Sequence, residues 1–313
     1  MIHFLENVPL AQFSSFKIGG PARYFFEAKS EAELIQALEN KIAQIFILGG
    51  GTNLLISDEG FPGLVIKPAI NFLNQDKTEI EAGAGVLMSE LINFTANAGL
   101  SGLEWAGGLP GTVGGAIRGN AGAFEGEIKD VILGVRSLDI VERKVHERDN
   151  QACKFNYRNS IFKELHGEEV IISARFKFTP GDPASVREAA QSKIDYRNER
   201  HPMDYPNIGS IFKNVSLATI TPELRPRIEG SIKKDPFPVV PAAFLISEAG
   251  VKSLRHGDAM VSPKHPNFIV NCGKATARDV LFLIKQVKNA VLNEFNLQLE
   301  EEVQGVGITY PQV

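Results

Sequence analysis

The chain has 313 residues, a mass of 34.2 kDa and a formal net charge of −4 at pH 7, which is long enough for two or three domains. A hydrophobic fraction of 43% with 22% charged residues excludes a disordered chain. The slight acidity argues against a basic surface for nucleic acid.

The N-terminus, MIHFLENVPLAQFSS, lacks the basic start and apolar run of a secretory leader. No apolar stretch approaches the ~20 residues that span a bilayer, so the expectation is a cytoplasmic protein with no membrane partner. Residues 30–40 read as a helix, with Ser30 as cap, Glu33 at the capping-box spacing, and Leu34, Ile35 and Leu38 on one face. An apolar strand at Ile45–Leu48 runs into Gly49-Gly50-Gly51, and Leu64-Val65-Ile66 follows a turn, giving a small β-α-β lobe. A strand at 78–85 leads to a helix at 87–98. Nine of the 25 positions from Gly102 to Gly126 are then glycine, too dense for any regular element. Strands return at 131–141 and 169–178. Thr179-Pro180-Gly181-Asp182-Pro183 breaks the chain and caps a helix reaching Arg200. A last long helix starts at Thr276, with Val280, Ile284, Val287, Val291 and Phe295 as its buried stripe, and Leu297–Val303 reads as a closing strand. Cys153 and Cys272 have no metal-ligand spacing and suit a reducing compartment.

Two glycine loops carry the chemistry. In Gly49-Gly50-Gly51-Thr52-Asn53-Leu54, consecutive glycines can aim backbone N–H groups at one point, a nest for a diphosphate; the same residues also suit a tight strand-to-loop turn. Pro110-Gly111-Thr112-Val113-Gly114-Gly115 continues to Asn120-Ala121-Gly122, where close packing is the competing explanation. Two such loops in one domain suit a long cofactor with a central diphosphate. No P-loop is present, and Gly83-Ala84-Gly85 has Met88 where a dinucleotide fingerprint needs glycine. Zincin and nucleophile-elbow motifs are absent as well.

With Phe16-Lys17-Ile18-Gly19-Gly20-Pro21-Ala22, Gly49–Leu55, Gly102–Gly122, Phe155-Asn156-Tyr157-Arg158-Asn159-Ser160, Gly209-Ser210-Ile211-Phe212-Lys213-Asn214 and Leu299-Glu300-Glu301-Glu302-Val303 in this order, the chain resembles the UDP-N-acetylenolpyruvoylglucosamine reductase (MurB) family, in its shorter form. The resemblance implies an α+β protein. Its parts would be an FAD domain of the PCMH (vanillyl-alcohol-oxidase) type in two lobes, 1–68 and 69–182, and a smaller α+β substrate domain, 183–313. It implies noncovalent FAD, NADPH as hydride donor, a sugar-nucleotide substrate and a monomer. The two glycine loops would clasp the FAD. Other chemistry on the same FAD domain, or an inactive FAD or UDP-sugar binder, stays open from the residues alone.

By resemblance Arg158 polarises the substrate carboxylate, Ser210 donates a proton and Glu302 assists as an acid. Read without the family, Arg158 is a surface arginine, Ser210 a turn serine and Glu302 one of three glutamates on a solvated edge. If Leu297, Leu299 and Val303 face a core, period-two alternation sends Glu300 and Glu302 to the other face. Substrate contacts implied are Tyr157, Arg200, Lys213, Asn214, Glu248 and His265, with Lys264 beside them. Arg200 stands where many members carry lysine. No metal is implied.

Overall fold

The computed structural model describes residues 2–40, 42–234 and 237–312. They pack into two compact units. One comprises Met1–Val8, Ala22–Gly50 and Pro62–Arg197; the other comprises Pro9–Pro21, Gly51–Phe61 and Asn198–Val313.

The first unit contains two apolar cores. One grows around the helix Glu31–Leu38, which Ser30 caps by accepting from the Glu33 amide at 3.2 Å. Leu34, Ala37 and Leu38 pack on Ala28, Leu64 and Ile66, each buried leucine or isoleucine stabilising the lobe by about 1.5–3 kcal/mol. Beside the helix lies a sheet ordered Leu5–Pro9, Pro21–Ala28, Phe61–Pro68, Ile45–Ile47, whose last pair is parallel with Ile45 opposite Leu64. That pair is the expected β-α-β lobe.

The second core rests on a five-stranded antiparallel sheet ordered Val145–Asp149, Ile132–Asp139, Glu169–Lys177, Glu79–Gly83, Leu73–Asp76. Its central strand serves both cores. The register slips between the pairs Arg136–Ser173 and Ser137–Ile171, and such a bulge turns the following side chains over. Val170 and Ile172 therefore enter the first core, and Ala174 and Phe176 the second.

The glycine-dense stretch is less irregular than expected, because Val113–Arg118 is a short helix. Thr112 caps it by accepting from the Gly115 amide at 3.4 Å. Its glycines are tolerated because tertiary contact replaces propensity: a methyl on Gly114 would meet Ala84 Cβ at 3.1 Å.

The second unit is built on the helix Ala277–Phe295. Thr276 and Asp279 form its capping box, and Val280, Ile284, Val287, Val291 and Phe295 face the core as expected. The chain closes differently from the sequence reading. The strand is Gln304–Val306, parallel to Leu54–Ile56 with Gln304 opposite Leu54, and Leu297–Val303 forms only an isolated bridge at Glu301. The Asn53 carbonyl captures the Gln304 amide at 3.0 Å, so the continuous ladder begins one residue past the apolar alternation. Among the described residues, no helix is long and apolar enough to cross a membrane.

Candidate active site

The strand Ile45–Ile47 ends where the Leu48 amide donates to Ile66, and the first glycine loop begins at once. Within the first unit it lies against the second loop. A methyl on Gly50 would stand 2.7 Å from Gly111 Cα, and one on Gly49 would stand 3.2 Å from Thr112 Oγ1. Within the second unit, Gly51 has φ +64° and a methyl there would lie 1.9 Å from the Phe13 carbonyl, so only glycine fits. The Ser15 amide holds the Gly51 carbonyl at 3.1 Å. Among the described residues, none accepts from the backbone N–H groups of Gly49, Gly50, Gly51 or Thr52. Consecutive unclaimed donors on a loop with no side-chain bulk fit the diphosphate of a dinucleotide such as FAD. Pro110 and Gly115 are exposed on the second loop, whereas Thr112 and Gly114 are tied into its helix. Leu54 starts the parallel ladder.

The Asn120 side chain is fully buried at φ +42°. It donates to the Asn156 carbonyl at 2.9 Å and to Glu127, and accepts from the Lys129 amide. Its amide is thus a brace for the Arg158 turn, a role the motif did not disclose. Ala121 is held between Ala116 and Ile128 by backbone bonds, and a methyl on Gly122 would reach 3.4 Å from Arg158 Nη1.

Arg158 sits at the tip of a tight turn closed by reciprocal bonds between Asn156 and Asn159, each 3.0 Å. Its φ of +52° is uncommon for a side-chain-bearing residue. The Lys163 ammonium holds its carbonyl at 2.9 Å, and buried Ser160 donates to the Arg118 carbonyl at 2.7 Å. The guanidinium lies over the Tyr157 ring at 5.3 Å. A second guanidinium, Arg197, carries no sequence signal. Its Nε donates to the Gly107 carbonyl at 2.9 Å, it lies over Phe124, and its buried Nη2 has no hydrogen-bond partner among the described residues. Burial, and then the charge of Arg158, lower its pKa.

In the second unit, Gly209 has φ +81° and turns the chain into Ser210. The segment Ser210–Lys213 runs between two others. On one side Ser210 bridges Phe268, and the Ile211 amide donates to Asn267 at 2.8 Å. On the other the Glu302 amide donates to the Ile211 carbonyl at 2.8 Å, and the Lys213 amide to Glu300 at 2.9 Å. The fold therefore places Glu302 on the segment neighbouring Ser210. The Asn53 side chain donates to the Glu302 carbonyl at 3.3 Å, which joins the glycine loop to this segment.

The residues expected to touch substrate have varied surroundings. Lys213 pairs with Glu300. The Asn214 side-chain Oδ1 accepts from the Ala242 amide at 3.1 Å and so caps the helix Ala242–Glu248, at whose end Glu248 is exposed. Arg200 is exposed at the end of the helix Pro183–Arg200, and Lys264 donates to the Asn198 carbonyl. His265 stacks edge-on against His201 and Phe268, and its Nδ1 is buried without a partner among the described residues. Burial, with Lys233 second, pushes its pKa down to about 4, so the ring is neutral at pH 7.

Asp139, His146 and Glu169 gather close enough to resemble a metal site. Both Glu169 oxygens are held by Arg148, at 2.5 and 2.7 Å, and Asp139 accepts from the Val141 and Glu142 amides. Two of the three, Asp139 and Glu169, are thus committed to structural bonds.

Comparison with known proteins places the chain in a family. A family model for an FAD binding domain matches residues 22–144, and one for the UDP-N-acetylenolpyruvoylglucosamine reductase C-terminal domain matches 201–306. A UDP-N-acetylenolpyruvoylglucosamine reductase of Carboxydothermus hydrogenoformans is 39% identical over 97% of this chain and 94% of its own. The one from Solibacter usitatus is 35% identical over 96% of each. The crystal structure of the UDP-N-acetylenolpyruvylglucosamine reductase (MurB) of Thermus caldophilus superposes with a TM-score of 0.78 at 31% identity, covering 98% of this chain and all of that one.

Proposed function

Because this chain belongs to the UDP-N-acetylenolpyruvoylglucosamine reductase (MurB) family, we propose that Arg158, Ser210 and Glu302 perform its chemistry. The enzyme is a flavin-dependent oxidoreductase that reduces UDP-N-acetyl-3-O-(1-carboxyvinyl)-glucosamine to UDP-N-acetylmuramate, a step of peptidoglycan precursor synthesis, with FAD as cofactor and NADPH as reductant. It acts on a small sugar nucleotide, and we assign it to the cytoplasm as a monomer without nucleic-acid partners. Residues 1–68 and 69–182 would serve the cofactor, and 183–313 the sugar nucleotide.

Bound FAD supplies the hydride, drawn from NADPH, that the enolpyruvyl group receives at its terminal carbon. The backbone donors of Gly49–Thr52, with Asn53, Leu54, Pro110, Gly111, Thr112, Gly114, Gly115, Asn120, Ala121 and Gly122, would shape its cradle. Arg158 pairs with the substrate carboxylate, into which negative charge moves as the double bond is consumed; its planar fork suits that group. Glu302, as a protonated acid, donates a hydrogen bond to the same developing charge. Each such preorganised donor is commonly worth ~3–4 kcal/mol. Ser210 Oγ delivers the proton to the carbon beside the carboxylate. Tyr157, Arg200, Lys213, Asn214, Glu248 and His265 would contact the sugar nucleotide. The observation that carries the assignment of roles is the backbone bond from Glu302 to Ile211, which makes Glu302 the neighbour of Ser210. Anaerobic mixing of the reduced enzyme with the enolpyruvyl sugar nucleotide tests the reading: the oxidised flavin absorbance must return. Reduced flavin that persists in saturating substrate would refute it.

A further inference from the structure

Glu300, Glu301 and Glu302 are chemically identical neighbours, so their own side chains cannot decide which one meets a substrate. The fold gives Glu300 and Glu301 different cation partners. Lys213 takes the Glu300 carboxylate at the surface. Lys288 takes that of Glu301, with Nζ 2.8 Å from Oε1 and 3.3 Å from the Pro311 carbonyl. This second pair is the unexpected one. Lys288 is 8% exposed on the helix Ala277–Phe295, among the buried side chains Ile284, Val287 and Val291, and the Glu301 side chain is 13% exposed.

Glu301 occupies an inward position between Leu299 and Val303, which are 2% and 3% exposed. An apolar residue would fill that position without desolvating an ion, and buried ion pairs rarely out-stabilise a well-packed apolar pair. What the ion pair adds is direction. Successive side chains of an extended segment alternate in facing, so a tie that holds Glu301 inward turns Glu302 the other way. The bonds from the Glu302 amide to Ile211 and from the Lys213 amide to Glu300 then lock the segment against Ser210–Lys213. The Tyr310 hydroxyl donates to the Val303 carbonyl at 3.0 Å and secures the following residue.

We infer that the Lys288–Glu301 pair is a positioning device that presents the Glu302 carboxyl beside Ser210. The inference rests on the proposed reading of Glu302 as the acid that hydrogen-bonds the charge developing on the substrate. Without Lys288, an unpaired carboxylate is left at an inward position, and the segment relieves it by shifting, which displaces Glu302. A misplacement near 1 Å can cost on the order of 10²-fold in rate.

The test times the two half-reactions of the holoenzyme separately by anaerobic stopped flow. Lys288→Met should slow reoxidation by the enolpyruvyl substrate about 10²-fold, in kcat rather than KM, while flavin reduction by NADPH stays within a few-fold. The double variant Lys288→Met/Glu301→Met fills the inward position with apolar volume and should recover reoxidation. If Lys288→Met fails to fold, Glu301→Gln, which keeps the shape and weakens the tie, must show the same one-sided loss. Full reoxidation rates in Lys288→Met or Glu301→Gln, beside a slow Glu302→Gln, overturn the positioning role. So does equal slowing of both half-reactions, or a double variant that folds but stays slow. A Glu302→Gln enzyme at full rate would instead sink the reading of Glu302 on which the inference stands.

Discussion

Gly50→Ala offers a measurable test of how the glycine loops grip the cofactor. A methyl placed on Gly50 would lie 2.7 Å from Gly111 Cα and 3.2 Å from the Gly111 carbonyl carbon and the Thr112 nitrogen, all of them backbone atoms that cannot rotate away. Carbon atoms rest about 3.5–4.0 Å apart, so the loops must separate by about 1 Å. That lengthens an N–H···O bond from about 2.9 Å to nearly 4 Å, beyond useful strength. If two donors to the diphosphate are lost, at about 1.5 kcal/mol each for a charged acceptor, the sum is about 3 kcal/mol. FAD affinity should then fall roughly 10²-fold. Gly50 has no positive φ, so backbone strain does not contribute and the apoprotein should keep most of its stability. The assay is titration of acid-stripped, refolded protein with FAD, followed by quenching of flavin fluorescence. Gly230→Ala is the control, because a methyl there meets nothing within 4 Å. If Gly50→Ala binds FAD within about threefold of the parent while its melting temperature is unchanged, the loops do not hold the diphosphate and the cradle must be sought elsewhere.

Three further outcomes are expected. Ser210→Ala should leave reduction by NADPH nearly intact and slow reoxidation by the ~10²–10⁴-fold typical of a lost general acid; equal slowing of both steps in stopped flow would make the serine a structural residue. FAD should leave entirely when the protein is precipitated in acid, because Cys153 is buried, with its thiol pushed up to about 11 by burial, and no histidine lies between His3 and His146; yellow colour in the washed pellet would contradict this. His265 titrates near 4 when folded and near its ordinary 6.5 when unfolded. The unfolded chain therefore binds the extra proton first, and stability falls as pH drops from about 6.5 toward 4. Between pH 7 and 5 the parent should lose up to about 2 kcal/mol more than His265→Gln in urea melts, and parallel pH profiles for the two would refute the assignment.

Much of this fold follows from local chemistry. The caps at Ser30, Asp182 and Thr276 and the stripe of the last helix act over three or four residues, so their elements lie where periodicity puts them. The family's ordered motifs put forward Arg158, Ser210 and Glu302 as the candidate residues. The sequence had no means of disclosing contacts between residues far apart in it. Asn120 looks like part of a glycine loop, yet its amide braces Asn156, 36 positions on. The closing strand falls at Gln304–Val306 because Leu54–Ile56 offers a free edge there, a partner some 250 residues away. The different partners of two adjacent glutamates, Lys213 for Glu300 and Lys288 for Glu301, are likewise set by residues distant in the sequence. Alternation along an extended segment fixes only which side chains share a face; which face meets a cation and which a substrate depends on the groups that tertiary packing brings alongside.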